Sequence, residues 1–115
     1  MRYVVEAALH HDKNNYSFIE IAMATASARH ILVETEEVCQ DLKKQIEGGL
    51  DFADVAAEFS ACPSGQSGGD LGSFGPGQMV KEFDEVVFSG ELNTIHGPVK
   101  TQFGYHLIEI TSRVD

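Results

Sequence analysis

Residues 62–88, CPSGQSGGDLGSFGPGQMVKEFDEVVF, leave a folding chain few options, because Gly65, Gly68, Gly69, Gly72, Gly75 and Gly77 are interleaved with a few large apolar side chains and one thiol. Glycine permits positive φ and close backbone approach. A run this rich in it can turn tightly and leave Leu71, Phe74, Met79 and Phe83 lining one concavity. The flanking sequence offers polar groups to that apolar cup. His30 opens the run His30-Ile31-Leu32-Val33, and His106 sits within Phe103-Gly104-Tyr105-His106-Leu107-Ile108, so each histidine lies in a segment of strand character.

With 115 residues, 43% hydrophobic and 23% charged, the chain matches one ordinary globular domain and leaves no room for a second. Its apolar runs are broken by charges well short of the roughly 18 residues that a membrane-spanning helix needs. The N-terminus lacks a basic-then-apolar leader pattern. Two cysteines without a secretion signal read as free thiols in a reducing compartment, with Cys39 best placed as a small buried hydrophobe. The expectation is a cytoplasmic monomer without membrane contact. A net charge of −10 removes the electrostatic attraction on which non-specific nucleic-acid binding depends, so nucleic acid is not an expected partner.

Residues 1–24 read as an N-terminal extension, either a hairpin or a flexible arm, with β-leaning stretches at 2–9 and 16–22 separated by His10-His11-Asp12-Lys13-Asn14-Asn15. Residues 25–115 read as the domain proper. A strand over residues 29–33 places His30 and Leu32 on one face and Arg29, Ile31 and Val33 on the other. Thr35 then caps a helix whose first turn carries Glu36 and Glu37, whose buried stripe is Val38, Leu42 and Ile46, and whose stop is Gly48-Gly49. Asp51 caps a second helix with Phe52, Val55, Ala56 and Phe59 as its apolar face.

A loop over residues 60–69, a short strand over 70–74, a turn at Gly75-Pro76-Gly77 and a helix from Met79 to about Phe88 follow. Strands over residues 97–101 and 104–111 are joined by a turn at Gln102-Phe103, and in the last one His106, Ile108 and Ile110 share a face. The order β-α-α-β-α-β-β predicts a small α+β fold with an antiparallel hairpin.

Several chemistries are excluded by motif. Gly75-Pro76-Gly77-Gln78-Met79-Val80 lacks the last glycine of a dinucleotide fingerprint, and there is no phosphate-binding GxxxxGK[ST] loop. Neither CxxC nor HExxH occurs, and adjacent His10 and His11 cannot both face one site on a strand, so no metal is expected. Cys62 with His30 and His106 leaves two readings open. One is a thiol activated by an imidazole base. In the other, the inward alternation of both strands turns the histidines into a polar floor beneath the apolar cup.

The segments ARHILV, CPSGQSGGDLGSFGPGQMVKEFDEVVFS and GPVKTQFGYHLIEI, in that order and separated by two helices, resemble the parvulin family of peptidyl-prolyl cis-trans isomerases over residues 28–112. The resemblance implies a four-stranded antiparallel sheet surrounded by helices, rotation about X–Pro peptide bonds in peptides and unfolded proteins, and no cofactor. Carried over by position, the family's paired histidines fall on His30 and His106, its Cys-or-Asp position on Cys62, and the hydroxyl of its histidine network on Thr101. Its proline pocket falls on Leu71, Met79 and Phe83, with Phe103 extending the apolar wall. Phosphate-directed members carry a basic cluster after the first strand, where this chain has Glu34, Glu36 and Glu37, so the resemblance implies the non-phosphorylated class. A parvulin-like module that holds unfolded clients without turnover is the alternative.

Overall fold

The computed structural model describes residues 24–114, so the N-terminal extension expected over residues 1–24 lies almost entirely outside the described residues. Its elements are β1 (Thr25–Val33), α1 (Glu36–Glu47), α2 (Phe52–Phe59), β2 (Asp70–Phe74), α3 (Lys81–Ser89), β3 (Ile95–Thr101) and β4 (Gly104–Val114), with a 3-10 turn at Pro63–Ser67. One four-stranded sheet is formed in the order β2-β1-β4-β3, and every neighbour is antiparallel. The expected α+β order of elements is the observed one.

Local chemistry explains the helix starts. The Thr35 hydroxyl accepts the Val38 N–H at 3.2 Å and an Asp51 carboxylate oxygen accepts the Asp54 N–H at 3.1 Å, each satisfying a donor that a helix start leaves free. Ser60–Gly69, expected as a loop, contains the 3-10 turn because Pro63 stands at its first turn, where no N–H is needed. The strand expected from residue 29 begins at Thr25, and the helix expected from Met79 begins at Lys81, because Val80 is still extended.

Strand alternation sorts the core onto both faces of the sheet. Ile31, Val33 and Leu107 meet Cys39 and Leu42 of α1 and Phe52, Val55 and Ala56 of α2. Ala26, Ala28, Ile108 and Ile110 meet Phe74 and, from α3, Phe83 and Val87. Arg29 stands on the first face, donating to Glu109 at 2.6 Å with its guanidinium 4.5 Å above the Phe52 ring.

Two core expectations are corrected. Val38 is 44% exposed and the buried residues of α1 are Cys39 and Leu42, with Ile46 partly buried, so the apolar stripe runs i, i+3, i+7 instead of i, i+4, i+8. Phe59 is also exposed, because it ends a two-turn helix from which the chain leaves in extended form at Ser60.

Candidate active site

Antiparallel register brings the histidines together. His30 of β1 lies opposite Ile108 of β4, and Leu32 opposite His106, so the two imidazoles are diagonal neighbours on the face covered by α3. Diagonal cross-strand pairs are within reach of long or aromatic side chains. The rings meet edge to edge, with Nδ1 of His30 3.0 Å from Nδ1 of His106. Thr101, the last residue of β3, places its hydroxyl 2.8 Å from the other His106 nitrogen, Nε2, and the same hydroxyl accepts the Phe103 N–H at 3.1 Å.

An Nδ1–Nδ1 contact forces one ring to donate and the other to accept, which leaves two proton orders. In one, the Thr101 hydroxyl donates to His106 Nε2, His106 Nδ1–H donates to His30 Nδ1, and the remaining proton sits on His30 Nε2. In the other, all donors reverse, and the Thr101 hydroxyl proton is left without an acceptor in this chain of bonds. The first order satisfies more groups. It leaves one unmatched atom, His30 Nε2, which is buried without a hydrogen-bond partner among the described residues.

Burial sets the charge state of the pair. His30 and His106 are 5% and 4% exposed. Desolvation first, and the neighbouring His106 second, push the His30 pKa down from 6.5 to about 4, and desolvation lowers that of His106. Both rings are neutral at pH 7.

Phe83 of α3 seals the pair. Its ring stands edge-on to both imidazoles, with centroids at 5.5 Å from His30 and 5.6 Å from His106 and interplanar angles of 78° and 84°. Phe83 is only 3% exposed, and Leu71 and Met79 pack half-buried against the same cluster. The structure therefore gathers His30, His106, Thr101, Leu71, Met79 and Phe83 in one neighbourhood, with Phe83 as a buried wall. Phe103 is different. It is 61% exposed at the turn between β3 and β4, tied to the site through its backbone N–H and not through its ring.

Cys62 is half-buried at the start of the 3-10 turn, where its Sγ accepts the Ser64 hydroxyl at 3.2 Å and its backbone N–H donates to Ser60 Oγ. No hydrogen bond joins it to either histidine among the described residues, so the imidazole-activated thiol has no geometric support. Replacing Cys62 by Ser should keep turnover within about tenfold, whereas removal of a covalent nucleophile costs on the order of 10⁴–10⁶-fold. Peptide isomerisation by Cys62→Ser and Cys62→Asp, each checked for folding, decides this; complete loss in folded Cys62→Asp would speak for an obligatory thiol.

Sequence reasoning missed Ser60, whose Oγ also accepts the Leu32 N–H at 3.0 Å and so links the chain before Cys62 to β1. A polar residue in a loop carries no signal of that partner. Among the described residues no cluster of three or more His, Cys, Asp or Glu is arranged to hold a metal ion, and no helix is long and apolar enough to cross a membrane.

A helix-flanked antiparallel sheet with a neutral histidine pair beneath an aromatic wall defines the parvulin type of prolyl isomerase, as the sequence resemblance implied. The profile of the PPIC-type PPIase domain matches residues 4–114, and the chain belongs to that family of peptidyl-prolyl cis-trans isomerases. It is similar to the foldase protein PrsA of Halalkalibacterium halodurans, with 42% identity over 111 residues, covering 96% of this chain and 32% of that protein. The peptidylprolyl isomerase PrsA of Bacillus anthracis superposes with a TM-score of 0.79 at 31% identity, over 90% of this chain and 49% of that one. The parvulin of Nitrosopumilus maritimus gives 0.70 at 30% identity, over 76% of this chain and 96% of its own. The chain thus spans about a third of the length of the curated foldase it matches.

Proposed function

We propose that this rotamase domain turns X–Pro bonds in unfolded, non-phosphorylated protein segments and so assists their folding. The observation that carries the reading is the uncharged, hydrogen-bonded His30–His106 pair held behind Phe83, with Leu71 and Met79 beside it.

The chemistry asks for no proton transfer. Partial double-bond character gives the peptide bond a barrier of about 18–20 kcal/mol, and rotation is accelerated by binding the twisted amide better than the planar one. Resonance is lost in the twisted state and charge moves back from oxygen to nitrogen. An apolar wall that takes the prolyl ring out of water withdraws the solvent hydrogen bonds that favour the planar, charge-separated form. Dipoles already fixed in a buried network need no reorganisation when that charge shifts. Neutral imidazoles suit this task, because a buried positive charge would favour the planar form's negative oxygen.

Glu34, Glu36 and Glu37 are all exposed where β1 leads into α1, which supports a preference against phosphate before proline. The net charge of −10 supports protein clients over nucleic acid. The free thiols of Cys39 and Cys62 support a reducing, cytoplasmic compartment, which cell fractionation tests, and sedimentation of the whole protein tests the expected monomer.

Turnover on a panel of X–Pro peptides tests the main reading, with apolar residues before proline expected to be turned over faster than phosphoserine. Binding of unfolded protein with no isomerisation of any peptide would replace it by the client-holding module.

A further inference from the structure

We propose that Gly69 and Gly97 are positioning residues for the histidine pair, each allowing the chain of an edge strand to press its backbone against the carbonyl of one histidine. Activity as a readout rests on the isomerase reading above. Gly69 enters β2 at φ +87, and a Cβ built there would lie 2.4 Å from the His30 carbonyl oxygen and 3.3 Å from its nitrogen. Its own carbonyl accepts the His30 N–H at 2.9 Å. Gly97 in β3, at φ +137, repeats the arrangement on the other side, since its Cβ would lie 2.5 Å from the His106 carbonyl oxygen. The Lys43 ammonium of α1 donates to the Gly97 carbonyl at 2.9 Å, holding that seat from outside.

No other positive-φ glycine among the described residues has a built Cβ that meets a histidine: Gly104 (φ +140) faces the Val33 carbonyl oxygen at 2.6 Å and Gly68 (φ +72) the Ala53 side chain at 2.9 Å. Gly49 (φ +125), Gly72 (φ +72) and Gly77 (φ +87) have nothing within 4 Å of a built Cβ, so they serve backbone conformation alone. At Gly69 and Gly97 a methyl must retreat by about 0.8–0.9 Å to reach an ordinary C···O separation near 3.3 Å. The network tolerates no more than that. A hydrogen bond of 3.0 Å between the imidazoles, or 2.8 Å from Thr101 to His106, is lost by about 3.6 Å. Displacing β3 at Gly97 moves the strand that carries Thr101, and displacing the chain at Gly69 uncovers the backbone that seats His30.

Gly69→Ala and Gly97→Ala, with Gly49→Ala as the control for positive-φ strain far from the site, test the proposal by peptide isomerisation and by NMR of the histidine ring nitrogens. The expected result for both is a kcat lower by about tenfold to a hundredfold, from a misplacement near 1 Å. KM should stay within about twofold. The His30 and His106 ring signals should shift, while Gly49→Ala changes stability but neither kcat nor those signals. If an alanine variant does not fold, Lys43→Met decides, because it loosens the Gly97 seat without a clash; the same ring signals should move and kcat fall with KM kept. Unchanged ring signals and kcat in folded variants overturn the proposal. Absence of turnover in the unsubstituted chain overturns the isomerase reading instead, and the ring signals then still judge the positioning.

Discussion

Phe83→Ala should lower stability by about 3–5 kcal/mol, the usual cost of emptying a buried phenylalanine site. Phe83 is 3% exposed and packs on His30, His106 and Phe74 at ring-centroid distances of 5.5, 5.6 and 6.3 Å, so its removal opens a hole in the cluster that joins α3 to the sheet. A domain of this size has only about 5–15 kcal/mol to lose, and the variant should remain folded at 25 °C with a much reduced melting temperature. Activity should suffer at temperatures where the fold holds. The imidazoles lose the ring edge that shields them, water reaches the pair, and kcat/KM should fall at least about tenfold, equivalent to 1.4 kcal/mol of transition-state stabilisation. Phe83→Leu separates packing from recognition, since a similar volume should recover most of the stability at a cost below about 1.5 kcal/mol. Denaturant melts paired with turnover of one X–Pro peptide measure both effects. Wild-type kcat/KM in folded Phe83→Ala would remove the wall from the mechanism.

How far such a site can be read from sequence depends on what sets each position. The pairing of His30 with His106 was legible, because strand alternation is fixed by backbone geometry and each histidine shares its face with core residues: Ala26 and Ala28 on β1, Ile108 and Ile110 on β4. The diagonal register was not, since it is set by how β1 pairs with β4, a pairing whose register shifts between Ser27 and Ala28, and no residue pattern announces that shift. On α1, Val38 and Cys39 are adjacent apolar residues and either completes a stripe with Leu42 and Ile46. The rotation of the helix on Ile31 and Leu107 chooses Cys39. Phe103 was assigned to the pocket wall by the family resemblance alone; the structure shows its backbone N–H bonded to the Thr101 hydroxyl and the residue 61% exposed at the hairpin turn. Glycine content announced tight turns near the site. It did not say that Gly69 serves contact with His30 whereas Gly72 and Gly77 serve φ alone, because that distinction lies in what stands opposite.

Acidification below about pH 6.5 should destabilise the domain. The folded His30 pKa is about 4 against 6.5 in the unfolded chain, so between those values the unfolded state binds more protons and stability rises with pH. The contribution is fully present above pH 6.5 and is lost as pH falls toward 4. For His30 alone the loss is about 1 kcal/mol by pH 5.5 and about 3 kcal/mol by pH 4, and the lowered His106 pKa acts in the same direction. The geometry limits how the pair can accept protons. One added proton leaves a donor and an acceptor across the 3.0 Å Nδ1–Nδ1 contact, but a second would set two N–H groups against each other and break it. Urea unfolding at pH 7.0 and 5.5 should therefore show the drop, and His30→Gln, which cannot titrate, should show less of it. Turnover obeys a different expectation. Rotation moves no proton, so kcat/KM per folded molecule should be flat from about pH 8 through 6.5, above the lowered pKa values of both rings. An inflection near 6.5 would instead mark an imidazole working as a general base, and the mechanism built on a neutral, buried pair would have to be abandoned.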